Sequence, residues 1–485
     1  MKYINTAIYH FNLLKYVWNL KMTAIIDRLS KVLGTHKVTA DKDILCKYSV
    51  DETSDLEFFP DILVRAETVE DVSNTLKICN EFRVPVTPRG AGTGVTGGSV
   101  PVKGGLVLST EKMNRIIEID KVNMIAVVQP GVITYDLQKA ALKEGLMYPP
   151  DPASLETCSI GGNVAENAGG PKAVKYGITK DYVLGLETVL ADGTLINTGG
   201  KTVKNATGYN LTGIILGSEG TLAVITKIYL RLVSSPHSFR DILIPFDSME
   251  KAVDAVNSIL LHRIVPATIE FMEKDAIDLV SKHTDESIPH PEAGAHLLIQ
   301  IDGDSDDAVY CLINRIAEVV EVDNNQILVA DSLSQSNRIW KARRSIRESI
   351  TNCSPVFLAE DCVVPRSVIH LFLKSLKEYF ISKGLFSVMF GHAGDGNVHV
   401  DILKGEMDYQ KWKILIPELK KEIYKRAIDM GGTITGEHGI GYLRKDYLSM
   451  ALSKEEISLQ QRIKKAFDPN LILNPEKIFP FSEDS

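Results

Sequence analysis

Hydrophobic and polar positions along this chain follow two successive rhythms. Between residues 60 and 232, short apolar runs alternate with stretches whose apolar residues recur every three or four positions. "TVEDVSNTLKICNEFR" puts Val69, Val72, Leu76 and Cys79 on one helical face, and Thr68 with Asp71 reads as a capping box at its start. "VPVTP" then reads as a strand, Ile125 to Val128 as another, and a helix starting at Thr134 is ended by Gly145. "VLGLETVLADGTLINTG" predicts a hairpin turning at Asp192 and Gly193. From about residue 236 the order becomes strand ("RDILIPF"), helix (248–262), strand ("ATIEFM"), strand ("HLLIQID"), helix (306–320) and strand ("QILVA"), a ferredoxin-like succession. The change falls at "VSSPHS", residues 233–238. Past 365, helices over 366–383 and 411–430 flank a short hairpin dense in histidine, glycine and aspartate.

The 485 residues are long enough for two or three domains. A net charge of -8 argues against nucleic acid as the main partner, because phosphate contacts need a basic surface. The six cysteines form neither a C-x-x-C pair nor an iron-sulfur or zinc pattern, which predicts a reducing, cytoplasmic setting. No run of 18 apolar residues occurs, so no transmembrane segment is expected, and membrane association through a partner is the alternative to a free cytoplasmic protein. Residues 1–21 carry three lysines and no acid, with Ile4, Ile8, Phe11, Leu14 and Trp18 at helical spacing. They fit an amphipathic surface helix, but a plain extension ahead of a domain beginning at Met22 is the simpler reading.

Two glycine-rich stretches stand out. "RGAGTGVTGGSVP", residues 89–101, holds five glycines, yet Gly97, Gly98 and Pro101 cannot sustain the helix that a Rossmann turn requires. "GGKT" at 199–202 misses a phosphate loop because Leu195 stands where the first glycine belongs. The first stretch therefore reads as a strand-loop-strand whose amides can line an anion, with Arg89 adding positive charge at its entrance. "CSIGGNVAENAGGPKAVKYG", residues 158–177, reads as a second such loop, and two of them suit a long bisphosphate cofactor better than one phosphate. A further constellation lies downstream. "FGHAGDGNVHVDI" sets His392 and His399 on either side of a tight turn, and "TGEHGIG" sets Glu437 beside His438. Two histidines and a carboxylate suit Zn²⁺, Fe²⁺ or Mn²⁺, although histidines distant in sequence are more often unconnected.

"PRGAGTGVTGG", "CSIGGNVAENAGG", "VLGLETVLADG" and "GSEGTLAVIT" resemble, in order, the FAD-binding domain of vanillyl-alcohol-oxidase type flavoproteins. The branch they resemble more closely contains the glycolate oxidases and the FAD-linked D-lactate and D-2-hydroxyacid dehydrogenases, from about residue 40 to the end. The resemblance implies an α+β chain with a PCMH-type FAD-binding domain of two α/β subdomains, a ferredoxin-like substrate or cap domain, and a C-terminal helical segment. The corresponding boundaries are 1–21 (extension), 22–235 (FAD domain), 236–425 (cap) and 426–485 (completing the active site). It implies FAD contacts at Pro88, Arg89, Gly90, Ala91, Gly92, Thr93, Gly94, Gly97 and Gly98. Others fall at Ser154, Cys158, Ser159, Gly161, Gly162, Asn163, Asn167, Ala168, Gly169, Gly170, Tyr176 and Gly177, and then at Gly220 and Val224. Some relatives bind FAD covalently through a histidine in the first loop. Here that loop has none, and Thr93 follows "GAG", so FAD is expected to be non-covalent.

The resemblance also implies a divalent metal on His392, His399 and Glu437, His438 as the base, and a substrate site at Arg343, Arg347 and Asn397. On a single helix Arg343 and Arg347 would share a face. Metal coordination would lower the pKa of a substrate hydroxyl so that a histidine could take its proton. Relatives acting on 2-hydroxyglutarate carry a lysine near "VFLAEDCVVP", where this chain has Ala359 and Glu360, so lactate or glycolate is favoured over a dicarboxylate. The implied electron acceptor is a partner protein, an electron-transfer flavoprotein or an iron-sulfur subunit, including complexes that bifurcate electrons. The alternatives are a glycolate dehydrogenase subunit, an NADPH-dependent reductase of the same flavin fold, and a flavin-binding electron-transfer subunit without its own substrate site. That last reading predicts loss of the histidine pair or of "EH", and both are present.

Overall fold

The computed structural model describes Trp18, residues 21–283 and residues 288–480. The expectation for residues 1–21 therefore lies mostly outside the described residues. Trp18 itself is half-buried, and its Nε1 donates to Asp61 at 3.3 Å.

A helix over 21–33 buries Ile25 and Leu29 against a four-stranded sheet in the order Val38–Thr39, Ile62–Arg65, Leu106–Ser109, Val86–Arg89. The last three strands are mutually parallel. Helix Val69–Phe82 covers this sheet and begins in the expected capping box, with Thr68 accepting from the Asp71 N–H. A second, antiparallel sheet of five strands runs Ile116–Asp120, Ile125–Val128, Val224–Arg231, Val183–Val189, Leu195–Gly199. Its last two strands are the predicted hairpin, whose turn glycine, Gly193, has φ +83°.

The C-terminal end of the chain returns to the first sheet. The Val86 N–H donates to Ile472 O at 2.8 Å, and Asn474 N–H donates to Val86 O at 2.7 Å. Asn474 Nδ2 then ties Gly98 O to Glu219 O, joining the first glycine loop to the segment "GSEG".

The remaining sheet has seven strands, in the spatial order Leu328–Ala330, Ser238–Phe246, Ala295–Gly303, Thr268–Glu273, Phe386–His392, Asn397–Leu403, Phe357–Val363. Its first four have the antiparallel fourth-first-third-second arrangement expected of a ferredoxin-like unit. Three more strands extend it through the pairing of Thr268–Glu273 with Phe386–His392. Helices Met249–Leu261, Asp306–Val319, Ile369–Ser382 and Tyr409–Asp429 bury one face. Helices Lys274–His283, Leu333–Arg344 and Ile346–Cys353 cover part of the other. Among the described residues no helix is long and apolar enough to cross a membrane.

Candidate active site

The uncovered part of the seven-stranded sheet carries the polar chemistry, and strand register puts it there. Glu270 faces His392, Phe390 faces His399, and His399 faces Asp361 in neighbouring strands. Cross-strand partners point to the same side of a sheet. One face therefore presents Glu270, His392, Asn397, His399, Asp401 and Asp361, while alternate residues such as Phe271, Val398 and Val400 enter the core.

The loop 435–441 closes over this face because Asp361 holds it. Asp361 accepts the N–H groups of Gly436 (2.8 Å) and Glu437 (2.9 Å) and lies 3.1 Å from His438 Nδ1 and 3.0 Å from Arg444. Gly436 is needed there, since a Cβ would run into Asn397 Nδ2. Burial opposes charge on Asp361, but His438, Arg444 and the N–H donors outweigh it and hold the carboxyl far below the usual range. For His438, burial lowers the pKa and Asp361 raises it, with a net upward shift. The Asp361 contact at Nδ1 leaves Nε2 facing the site, 3.8 Å from Glu437 Oε1.

His392, His399 and Glu437 come together as the sequence predicts. Their candidate ligand atoms all lie within 4.8 Å of one another, and each Nε2 is 3.6 Å from Glu437 Oε1. Glu270, fully buried, accepts from His392 Nδ1 at 2.5 Å, which orients Nε2 toward the other two groups. Burial and the neighbouring His392 and His438 push His399 well below its usual pKa, which favours the neutral imidazole that a metal requires. The donor set fits a divalent ion with open coordination positions.

The two arginines do not share one helix. The chain breaks at Ser345 between Leu333–Arg344 and Ile346–Cys353, whose N-cap carries no side-chain bond. Both guanidiniums still reach the same spot, 4.7 Å (Arg343) and 6.0 Å (Arg347) from the Phe390 ring centre. Arg343 donates to Glu270 at 2.6 Å, and Arg347 lies 3.2 Å from the buried Asp401. Asn397, next to the hairpin turn, has a buried Oδ1 with no partner among the described residues. Ala359 pairs across the sheet with Asp401 and shares the site face. Glu360 is turned into the opposite side, where Arg444, Lys420 and Tyr424 hold it.

A cavity between the glycine stretches opens onto Glu437 and His438. Most of the predicted cofactor residues line it: 88–94 and Gly98, then Ser154, Cys158, Ser159, Gly161, Gly162, Asn163, Ala168, Gly169, and finally Gly220 and Val224. Gly97, Asn167, Gly170, Tyr176 and Gly177 do not. Gly97 abuts Leu56 and Tyr442, Asn167 caps a helix in the left-handed region, Gly170 packs on Asp151, Gly177 packs on Asp181, and the Tyr176 hydroxyl donates to Asp302. Arg89 also departs from expectation. It is 8% exposed, its guanidinium is spent on carbonyls such as Val50 O (2.7 Å), and it puts no free charge at the entrance. The second stretch is not all loop: Ile160–Glu166 is a helix capped by Ser159, which accepts from Gly162 N. Two glycines serve close packing, because a Cβ at Gly90 would strike Ser159 Oγ and one at Gly161 would strike Pro130. The bare amides beside this cavity suit a phosphate-bearing cofactor.

Sequence reasoning missed Asp361 and Glu270 as organisers of the site and Glu166 and Glu219 on the cavity wall. Asp361 left a signal, an adjacent pair of acids, Glu360 and Asp361, inside the strand "FLAEDCV". Glu270 left another, an acid flanked by Ile269 and Phe271 in "TIEFME".

The matches to known proteins agree with this layout. Residues 60–199 match the family described as "FAD binding domain", and residues 235–478 match "FAD linked oxidases, C-terminal domain". The chain is 40% identical over 442 residues to glycolate oxidase subunit GlcD of Bacillus subtilis, covering 89% of this chain and 92% of that protein. It is 38% identical over 427 residues to D-lactate dehydrogenase of Anaerostipes hadrus, covering 86% and 89%. The substrate-bound crystal structure of p-cresol methylhydroxylase superposes with a TM-score of 0.78 at 18% identity, over 94% of this chain and 96% of that one. That likeness fixes the fold as PCMH-type. With the cavity between its two glycine stretches and relatives matched over most of its length, the chain belongs to the FAD-linked oxidase family of glycolate oxidases and D-lactate dehydrogenases.

Proposed function

We propose that this protein oxidises a short D-2-hydroxy acid, D-lactate in the first place, to the 2-oxo acid. The observation that carries the reading is the convergence of His392, His399, Glu437 and His438, the last two of which line the cavity. His392, His399 and Glu437 would hold one divalent ion, Fe²⁺, Zn²⁺ or Mn²⁺, whose charge would acidify a bound hydroxyl. FAD, held without a covalent bond in the cavity, would supply the two-electron acceptor.

The chain's own groups do the rest. His438 takes the hydroxyl proton at Nε2, while Asp361 at Nδ1 fixes the tautomer and steadies the resulting imidazolium. Arg343 receives the substrate carboxylate, with Arg347 and Asn397 completing the wall. Ala359, on the site face opposite Asp401, offers no cation for a second carboxylate, which favours a monocarboxylate. Glycolate is the second reading, favoured by the Bacillus subtilis relative; a pocket distinguishes one methyl group by only about 1–3 kcal/mol. Electrons would leave to a partner protein, an electron-transfer flavoprotein or an iron-sulfur subunit.

His438→Ala tests the assignment. With D-lactate and an artificial acceptor, turnover should fall by about 100-fold or more while the flavin absorbance of the protein is retained. Unchanged turnover would remove His438 from the mechanism.

A further inference from the structure

Two acids on the cavity wall have no part in the chemistry above. Glu166 ends helix Ile160–Glu166, Glu219 lies in "GSEG", and both line the same cavity as the glycine stretches and His438. They meet at Gly439, where a Cβ would lie 2.5 Å from Glu166 Oε2 and 3.0 Å from Glu219 Oε1. Gly439 has φ +78°, so both the backbone and the space reserve this position for glycine.

Their surroundings differ. Burial raises the Glu219 carboxyl, but it accepts an N–H on each oxygen, from Ile440 at 2.8 Å and Gly441 at 2.7 Å, and Lys477 and Arg444 also oppose the rise. Glu166 Oε2 is buried without a partner among the described residues. Glu166 also faces the negative charge of Glu219 and Asp51, with Arg444 opposing them. Of two buried carboxylates set side by side, the one with donors holds the charge more readily. Burial first, then Glu219 and Asp51, push the Glu166 carboxyl well above its usual range.

We propose that Glu166 is a neutral carboxylic acid that donates its O–H to the bound flavin, and that Glu219 is the partner that keeps it neutral. A neutral acid gives the flavin a hydrogen bond without placing negative charge beside a group that must accept electrons. The inference rests on FAD occupying the cavity. It makes Glu166 a cofactor-tuning residue, separate from the metal and base.

The test uses the full chain reconstituted with FAD, comparing wild type, Glu166→Gln and Glu166→Leu by flavin-binding titration and midpoint potential. Gln also donates, so E166Q should bind FAD within about twofold of wild type, whereas E166L should bind about tenfold more weakly and show a lower potential. An infrared difference between wild type and E166Q at pH 7 should show the C=O band of a protonated carboxyl in the wild type, a readout independent of whether E166L folds. Absence of that band, or wild-type affinity and potential in E166L, would overturn the proposal. If the wild type itself took up no FAD, the flavin reading would fail instead.

Discussion

At the scale of single residues, the candidate site is organised by buried carboxylates. Asp361 is fully buried, and it serves the loop 435–441 and the His438 ring at once. Asn at this position keeps the shape but offers neither the charge nor the second acceptor oxygen. Asp361→Asn should therefore lower kcat by about 100-fold, the scale of a positioned general base, with a much smaller change in KM. Steady-state kinetics on D-lactate check this. Equal losses in kcat and substrate affinity would mean that Asp361 supports the pocket as a whole and not the base. Glu270 plays the matching part on the other side, joining His392 to Arg343 and so linking the expected metal ligand to the expected carboxylate receptor.

At the scale of elements, the strand Thr268–Glu273 joins the ferredoxin-like unit to the hairpin that carries the histidines. It ends at Glu273, which accepts from Met389 N at 2.7 Å and lies 3.4 Å from Lys377 Nζ. Burial dominates its environment and raises its carboxyl to about 7 despite those partners. The folded-state pKa lies above the unfolded one, so this contribution to stability is complete below about pH 4 and is lost as pH rises through about 7. The stability difference between Glu273→Gln and wild type should shift in favour of Gln by about 1–3 kcal/mol from pH 5 to pH 8. Denaturant midpoints at the two pH values measure it, and a pH-independent difference would contradict it.

The elements themselves were largely legible, because a capping box, an Asp-Gly turn and period-two strands are local signals. The break at Ser345 was not legible. "WKARRSIRESI" is a sound helical sequence, Ser345 keeps helical backbone angles, and Ile339, Ala342, Ile346 and Ile350 on either side of it pack into one core cluster. The helix within residues 158–177 was hidden in the same way, since Gly161 and Gly162 lower helix propensity and the close approach to Pro130 demands glycine.

At the scale of the whole molecule, the site exists only because distant segments meet. The cavity is walled by the glycine stretches and by Glu437 and His438 of a loop that hangs from the seven-stranded sheet through Asp361. The Tyr176 hydroxyl and Lys175, both on Asp302, add a second tie between the two parts. Motifs show which residues are candidates, and His392, His399, Glu437 and His438 were all identifiable from their spacing and the resemblance. What spacing does not carry is the pairing of acids with their bases, because Glu270 reaches His392 through strand register across 122 residues of sequence, and Asp361 reaches His438 in a loop 77 residues further on. The most direct measurement is anaerobic mixing of the FAD-loaded, metal-replete protein with excess D-lactate, followed through the flavin absorbance. Bleaching is expected with D-lactate, at least about tenfold slower bleaching with L-lactate, and loss of the reaction after chelation that returns when a divalent ion is restored. A flavin that stays oxidised with D-lactate and with glycolate alike would contradict it.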